Sequence, residues 1–220
     1  MGEHKRAVTM IQHKNRGSKI KTTIIVVLSA VLIVAGLDLY QKNQKIGFLS
    51  FDPKLSFGNP KAELHIMEFV DFACVQCAIG SLYIKDYIAK HPERVYLSLH
   101  YQPLGELNST ISAVYAQCAA QQNKFWDMAD LLFAKQFEWK TLLKIKPELN
   151  KIAQEAKLNL DDLSKCVDDP KTEEIVKKDK RLGESRFIES TPSYFVNGQL
   201  HVGVGALRKA LDAYFKDDIK

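Results

Sequence analysis

Residues 69–80 read FVDFACVQCAIG, two cysteines separated by Val75 and Gln76 directly behind an apolar run. Working outward, LHIMEFVDF (64–72) is apolar with little clean alternation, as expected of a central strand covered on both faces. From Ala78 to Lys90 the apolar positions Ile79, Leu82, Tyr83, Ile84, Tyr87 and Ile88 repeat at helical spacing, and Pro92 follows. RVYLSLHY (94–101) then reads as a second strand. A strand, a helix and a second strand in one sheet imply a right-handed crossover with the strands parallel. Cys74 is thereby expected where the first strand ends, and Cys77 in the first turn of the helix. The unpaired N–H groups and positive dipole end of that helix favour a thiolate at Cys74, the expected nucleophile. Cys77, one turn further in, is expected to be more buried and to resolve a mixed disulfide by attacking Cys74.

Other chemistries for the pair lack their partners. Zinc needs four ligands, and Cys118 and Cys166 stand singly, without a second C-x-x-C or an H-x3-H arrangement. Copper delivery finds four Met residues, no Met cluster and no nearby His. No metal site is therefore assigned. Two inert core thiols are a poor fit for a strand-to-helix junction. Two further features support redox chemistry. Thr191-Pro192 precedes SYFVNG, and a cis bond there would hold the backbone open for an extended peptide, the alternative being an ordinary edge proline. Glu68 and Asp71 lead into Cys74; a carboxylate buried beside Cys77 would have a raised pKa and could take its proton. Of the two, Asp71 is the better candidate to face solvent.

From Asn108 to about Arg186 the pattern is helical, with KFWDMADLLF its most apolar part. Asn108-Ser109-Thr110 fits a glycosylation sequon but reads more simply as a helix N-cap before Ile111. The charged run 171–186 reads as a solvated helix face. SYFVNGQLHV (193–202) is a hairpin turning at Asn197-Gly198, and GALRKALDAYF (205–215) is an amphipathic closing helix. Residues 38–60 read as a tether with one short strand at 46–51, the linker proper covering 38–56 and the folded domain 57–220.

Charge is unevenly placed. Six of the 31 basic residues and only Glu3 of the 26 acidic ones lie within positions 1–21, so the remaining chain carries 25 of each and is neutral. That balance argues against nucleic acid as a partner. Directly after the basic segment, TTIIVVLSAVLIVAGL (22–37) has no charge. It is expected to be a single transmembrane helix or, in the competing reading, a cleaved signal, with residues 1–21 cytoplasmic and everything beyond about 40 exported. In that compartment disulfides can persist.

These residues together resemble the DsbA-like thiol-disulfide oxidoreductases, over about 57–216: FGNPKAELHIMEFVDFACVQC, CAAQQNKFWDMADLLF with Phe125-Trp126, and STPSYFVNG. The resemblance implies an α/β thioredoxin-like fold with an α-helical insertion, at about 107–186, between the second and third strands. It also implies Cys74 as attacking cysteine, Cys77 as resolving cysteine, Thr191-Pro192 as the cis-proline loop that binds substrate, and Glu68 as a buried acid below the site. The reaction it implies needs no metal or organic cofactor. Implied partners are cysteine-containing exported proteins and a membrane redox partner, either a quinone-linked oxidase or an electron donor. The implied location is a bacterial cell membrane with the catalytic domain in the periplasm or its equivalent.

One departure is Val75-Gln76, where disulfide-forming members often carry proline and histidine. Gln76 can donate a hydrogen bond to a thiolate but brings no positive charge, so an intermediate potential is expected, less oxidising than the about −120 mV of the strongest family oxidant. With no separate dimerisation domain in evidence, oxidation is the expected direction, reduction or isomerisation the alternative. A non-catalytic metal-delivery module on the same fold is the reading from another class. Cys118 shares a helical face with Ile111, Val114 and Tyr115, and Cys166 clusters with Leu160, Leu163 and Val167. Both should point into the insertion, either as a structural disulfide or as two buried free thiols.

Overall fold

The computed structural model describes residues 25–37, 52–105 and 107–216. Two compact units divide the chain, Met1–Ser50 and Phe51–Lys220. In the first, residues 25–37 are helical (α1) and every one is exposed. Among the described residues no helix is long and apolar enough to cross a membrane. The basic segment 1–21, residues 22–24 of the expected span and the strand expected at 46–51 lie outside the described residues.

The second unit opens with a 3-10 turn, Pro53–Leu55, capped by Asp52 Oδ1, which accepts from Lys54 N at 2.9 Å. A five-stranded sheet follows in the order β1-β3-β2-β4-β5. Its centre is β2 (Leu64–Val70) and β3 (Val95–Tyr101), parallel and in register from Leu64↔Val95 to Val70↔Tyr101. Every β3 residue is buried, and all of β2 except half-buried His65. That double covering explains why neither segment alternates in sequence. β1 (Ser56–Gly58) pairs antiparallel with β3, an element that the sequence reading does not assign. Helix α2 (Val75–Lys90) joins β2 to β3. It starts three residues before Ala78, where the apolar periodicity begins, and Cys77 lies within its first turn as expected.

On the other side of β2, β4 (Ser193–Val196) pairs antiparallel and leads through Asn197-Gly198 into β5 (Gln199–Val202). Asn197 and Gly198 have φ of 45° and 88°, the paired positive values of a tight hairpin turn. Asn197 also reaches across to β2, its Oδ1 accepting from His65 N at 2.9 Å. α9 (Val204–Tyr214) closes the chain.

Between β3 and β4 stands the helical insertion: α3 (Ser109–Gln121), α4 (Phe125–Ala134), α5 (Gln136–Trp139), α6 (Lys146–Glu155), α7 (Leu160–Asp168) and α8 (Pro170–Ser185). Asn108 occupies the N-cap position of α3, yet its side chain caps nothing. It is buried, and its Nδ2 donates to the carbonyls of Trp139, Lys140 and Leu142 at 3.0–3.1 Å, which ties the end of α5 to the start of α3 and leaves the sequon inaccessible. Cys118 of α3 and Cys166 of α7 form a disulfide with Cα atoms 5.8 Å apart, so the bridge lies wholly within the insertion.

Two apolar clusters make the core. One joins Leu64, Ile66, Val95, Leu97, Tyr194 and Val196 of the sheet to Ile84 and Ile88 of α2 and Leu207 and Leu211 of α9. The other joins Val70, Leu99 and Tyr101 to α3, α4, α6 and α7, and includes Cys77. Trp126 packs against both. α2 is thus gripped by the sheet at one end and by the insertion at the other.

Candidate active site

β2 ends at Val70, and Asp71–Ala73 turn the chain into α2. Asp71 does not face solvent as the sequence suggested: it is 2% exposed and fully engaged. Its Oδ1 accepts from Ala73 N at 2.8 Å, and its Oδ2 from Leu104 N at 3.0 Å and Ser109 Oγ at 2.7 Å. One carboxylate therefore fixes the turn before Cys74 and fastens it to the head of α3. A second clasp comes from α5, where Gln136, also buried, donates through Nε2 to Phe72 O at 2.5 Å and Cys74 O at 3.0 Å. Neither set of distant partners shows in the local sequence, for they lie 33 to 64 positions away.

Held this way, Cys74 is the N-cap residue of α2, half-buried, and Cys77 is fully buried behind it. Both are free thiols. As a thiol, Cys74 Sγ donates to the Thr191 carbonyl at 3.3 Å. As a thiolate it is stabilised first by the Cys77 thiol, then by Thr191 and the N–H groups of Cys77 and Gln76, and these outweigh its partial burial to bring its pKa down to about 6. The Cys77 thiol moves the opposite way, pushed far up by burial and by its neighbour Cys74. The pair is therefore one accessible acidic thiol and one inaccessible thiol that needs a base. Val75 and Gln76 are exposed at the mouth. What assists the thiolate from Gln76 is its backbone N–H rather than its side chain.

Thr191-Pro192 is cis and lies against Cys74, with Pro192 buried and its carbonyl accepting from Gly203 N at 2.8 Å. Glu68 lies on the β2 face that α2 covers, the face of Leu64, Ile66 and Val70. It is 1% exposed. Burial raises its pKa to about 8, against the opposing pull of the Tyr194 hydroxyl and the Lys85 charge. The structure thus gathers Glu68, Cys74, Val75, Gln76, Cys77, Thr191 and Pro192 into one place, and keeps Cys118 and Cys166 out of it. Sequence reasoning missed Gln136 and Tyr194. Among the described residues no group of three or more His, Cys, Asp or Glu side chains could hold a metal ion.

Residues 51–213 match the thioredoxin family. The chain belongs to it. Over 219 residues it is 26% identical to the probable disulfide bond formation protein D of Bacillus anthracis, covering 90% of this chain and 98% of that one. It is also 28% identical over 149 residues to the Na(+)/H(+) antiporter NhaA 3 of Salinispora tropica, covering 66% of this chain. The chain spans 22% to 24% of the length of two such antiporter relatives. Among solved structures, α-DsbA1 of Wolbachia pipientis superposes with a TM-score of 0.66 at 20% identity, over 79% of this chain and 96% of that one. Oxidised BdbD of Bacillus subtilis gives 0.64 at 22% identity, over 74% and 92%. These likenesses speak for the fold.

Proposed function

We propose that the protein is a thiol-disulfide oxidoreductase that works through Cys74 and Cys77 on cysteine-containing proteins outside the cytoplasm, in the direction of disulfide formation. The asymmetry of the pair carries the reading: a half-buried thiol with a pKa of about 6 beside a buried thiol pushed far above the ordinary range. In the oxidised state a client thiolate attacks the Cys74 sulfur, the Cys74–Cys77 bond breaks, and Cys77 leaves as a thiolate that takes a proton from Glu68. A second client thiolate then attacks the client sulfur of the mixed disulfide, so that the client gains its bridge and both cysteines end reduced. Thr191-Pro192 lines the approach to Cys74 and serves as the client-binding loop. A Cys74 pKa of about 6 lies between about 7 for thioredoxin and about 3.5 for the strongest family oxidant, which supports an intermediate potential. Similarity to the probable disulfide bond formation proteins D of Bacillus anthracis and Bacillus cereus supports the oxidising direction.

Residues 22–37, preceded by a basic segment, serve in this reading as a membrane anchor with the N-terminus cytoplasmic. A membrane redox partner restores the Cys74–Cys77 bond after each turnover.

The test compares wild type with Cys74→Ser on a reduced, unfolded substrate containing several cysteines. Wild type should form disulfides in it faster than background and the variant should not. Equal rates would remove the reading, and stoichiometric copper or zinc lost on Cys74→Ser would replace it with metal delivery.

A further inference from the structure

Glu68 and Tyr194 sit directly opposite each other across the antiparallel β2–β4 pair. Cross-strand neighbours have Cβ atoms about 4.5–5.5 Å apart, so the two side chains share one site on the face under α2. Gly80 of α2 completes the arrangement. A Cβ built on Gly80 would lie 2.0 Å from the Tyr194 hydroxyl oxygen, so that oxygen occupies the space a side chain would take. Gly80 is three residues beyond Cys77, and residues at that spacing have Cβ positions about 5–6 Å apart on one helix face. The hydroxyl is thereby lodged between the Glu68 strand and the Cys77 turn. Glu68 Oε1 and Tyr194 Oη are both buried and neither is closed into a strict hydrogen bond among the described residues. The hydroxyl is nonetheless close enough to draw Glu68 toward the ionised form, while the charges of Glu68 and Cys77 both bear on Tyr194. The other titratable groups facing the pair are Cys74 and Lys85; β3 and α9 present Leu99 and Val204, both apolar.

We propose that Tyr194 is a positioning residue for proton exchange between Cys77 and Glu68, its O–H donating to the carboxylate and holding it toward Cys77 across the gap that Gly80 leaves. This rests on the oxidoreductase reading and deepens it. In the resolving step Cys77 gives its proton to a Glu68 oxygen and its sulfur attacks the Cys74 sulfur. The bond from Cys74 to the partner sulfur breaks and the partner leaves with the electron pair, the dithiol being oxidised as the partner disulfide is reduced. Tyr194 keeps its own proton throughout.

The reduced full-length protein is mixed with glutathione disulfide from pH 5 to 9, quenched in acid, and the Cys74–glutathione adduct followed by mass. In wild type the adduct should decay faster as pH rises and Glu68 ionises. Tyr194→Phe should form the adduct at the wild-type rate, yet resolve it about tenfold more slowly at pH 7, with the profile moved up by about one pH unit. Gly80→Ala, which displaces the hydroxyl without deleting it, should do the same, and Tyr194→Phe should add nothing to Glu68→Gln. A Tyr194→Phe profile that superimposes on wild type while Glu68→Gln flattens it overturns the role of Tyr194 alone. A Glu68→Gln profile identical to wild type overturns the proton route altogether, and failure of any adduct to form at Cys74 overturns the oxidoreductase reading beneath both.

Discussion

Replacing Glu68 by Gln tests the buried acid as a matter of stability, independent of any substrate. The carboxyl has an ordinary pKa of 4.5 when exposed and about 8 in the fold, where burial disfavours its charge. Because the folded value is the higher one, stability from this group is complete below pH 4.5 and is lost as pH rises toward 8. Between those limits unfolding releases a proton that the folded protein retains. The loss is about 1.4 kcal/mol per pH unit, reaching about 3 kcal/mol at pH 7 and about 5 kcal/mol above pH 8. Gln is nearly isosteric and cannot ionise. Urea unfolding of the two proteins side by side at pH 5, 6, 7 and 8 should therefore show their stabilities diverging in favour of Glu68→Gln, by about 2.5 kcal/mol between pH 5 and pH 7. Parallel curves across that range would refute the argument, because they would mean that Glu68 ionises in the fold as readily as in the unfolded chain.

Other expectations follow from neighbouring contacts. Gln136→Leu strips the buried Phe72 carbonyl of a donor and should cost about 1–3 kcal/mol, with a change in the pH midpoint of Cys74 alkylation; an unchanged midpoint would mean that α5 does not set the nucleophile's geometry. Cys118→Ser with Cys166→Ser opens a 48-residue loop and should lower stability by about 4 kcal/mol in the loop-entropy account, while the alkylation rate of Cys74 stays as in wild type. For Cys74 itself, alkylation of the reduced protein should rise with a midpoint near pH 6, and Cys77→Ala should move that midpoint upward because the Cys77 thiol is its main stabiliser.

What could be read from the sequence was local chemistry, and what could not was long-range contact. The spacing of Cys74 and Cys77, the Asn197-Gly198 turn and the helical periodicities each fall within a few residues, and the structure places them as expected. Asp71 shows where such reading fails. Its pattern, one polar residue at the end of an apolar run, suits a solvent-facing position, but its partners Leu104 and Ser109 lie 33 and 38 positions on. Gln136 escaped for the same reason, and Tyr194 hid in an unremarkable strand because its meaning comes from Gly80, 114 positions earlier. β1 went unassigned because Ser-Phe-Gly has little strand character of its own; the edge of β3 imposes it. The disulfide was one of two open readings, since facing thiols on two helices become a pair only when the helices are packed.

Both tryptophans, Trp126 and Trp139, belong to the insertion. Trp126 donates its indole N–H to the Ser56 carbonyl of β1 and leans on both core clusters, whereas Trp139 is fully buried one turn from Gln136 and donates to the Leu132 carbonyl. The intrinsic emission of this protein is therefore an optical gauge of how the helices seat on the sheet. Trp126 watches the seam at β1, and Trp139 watches the short helix that clasps the backbone beside Cys74.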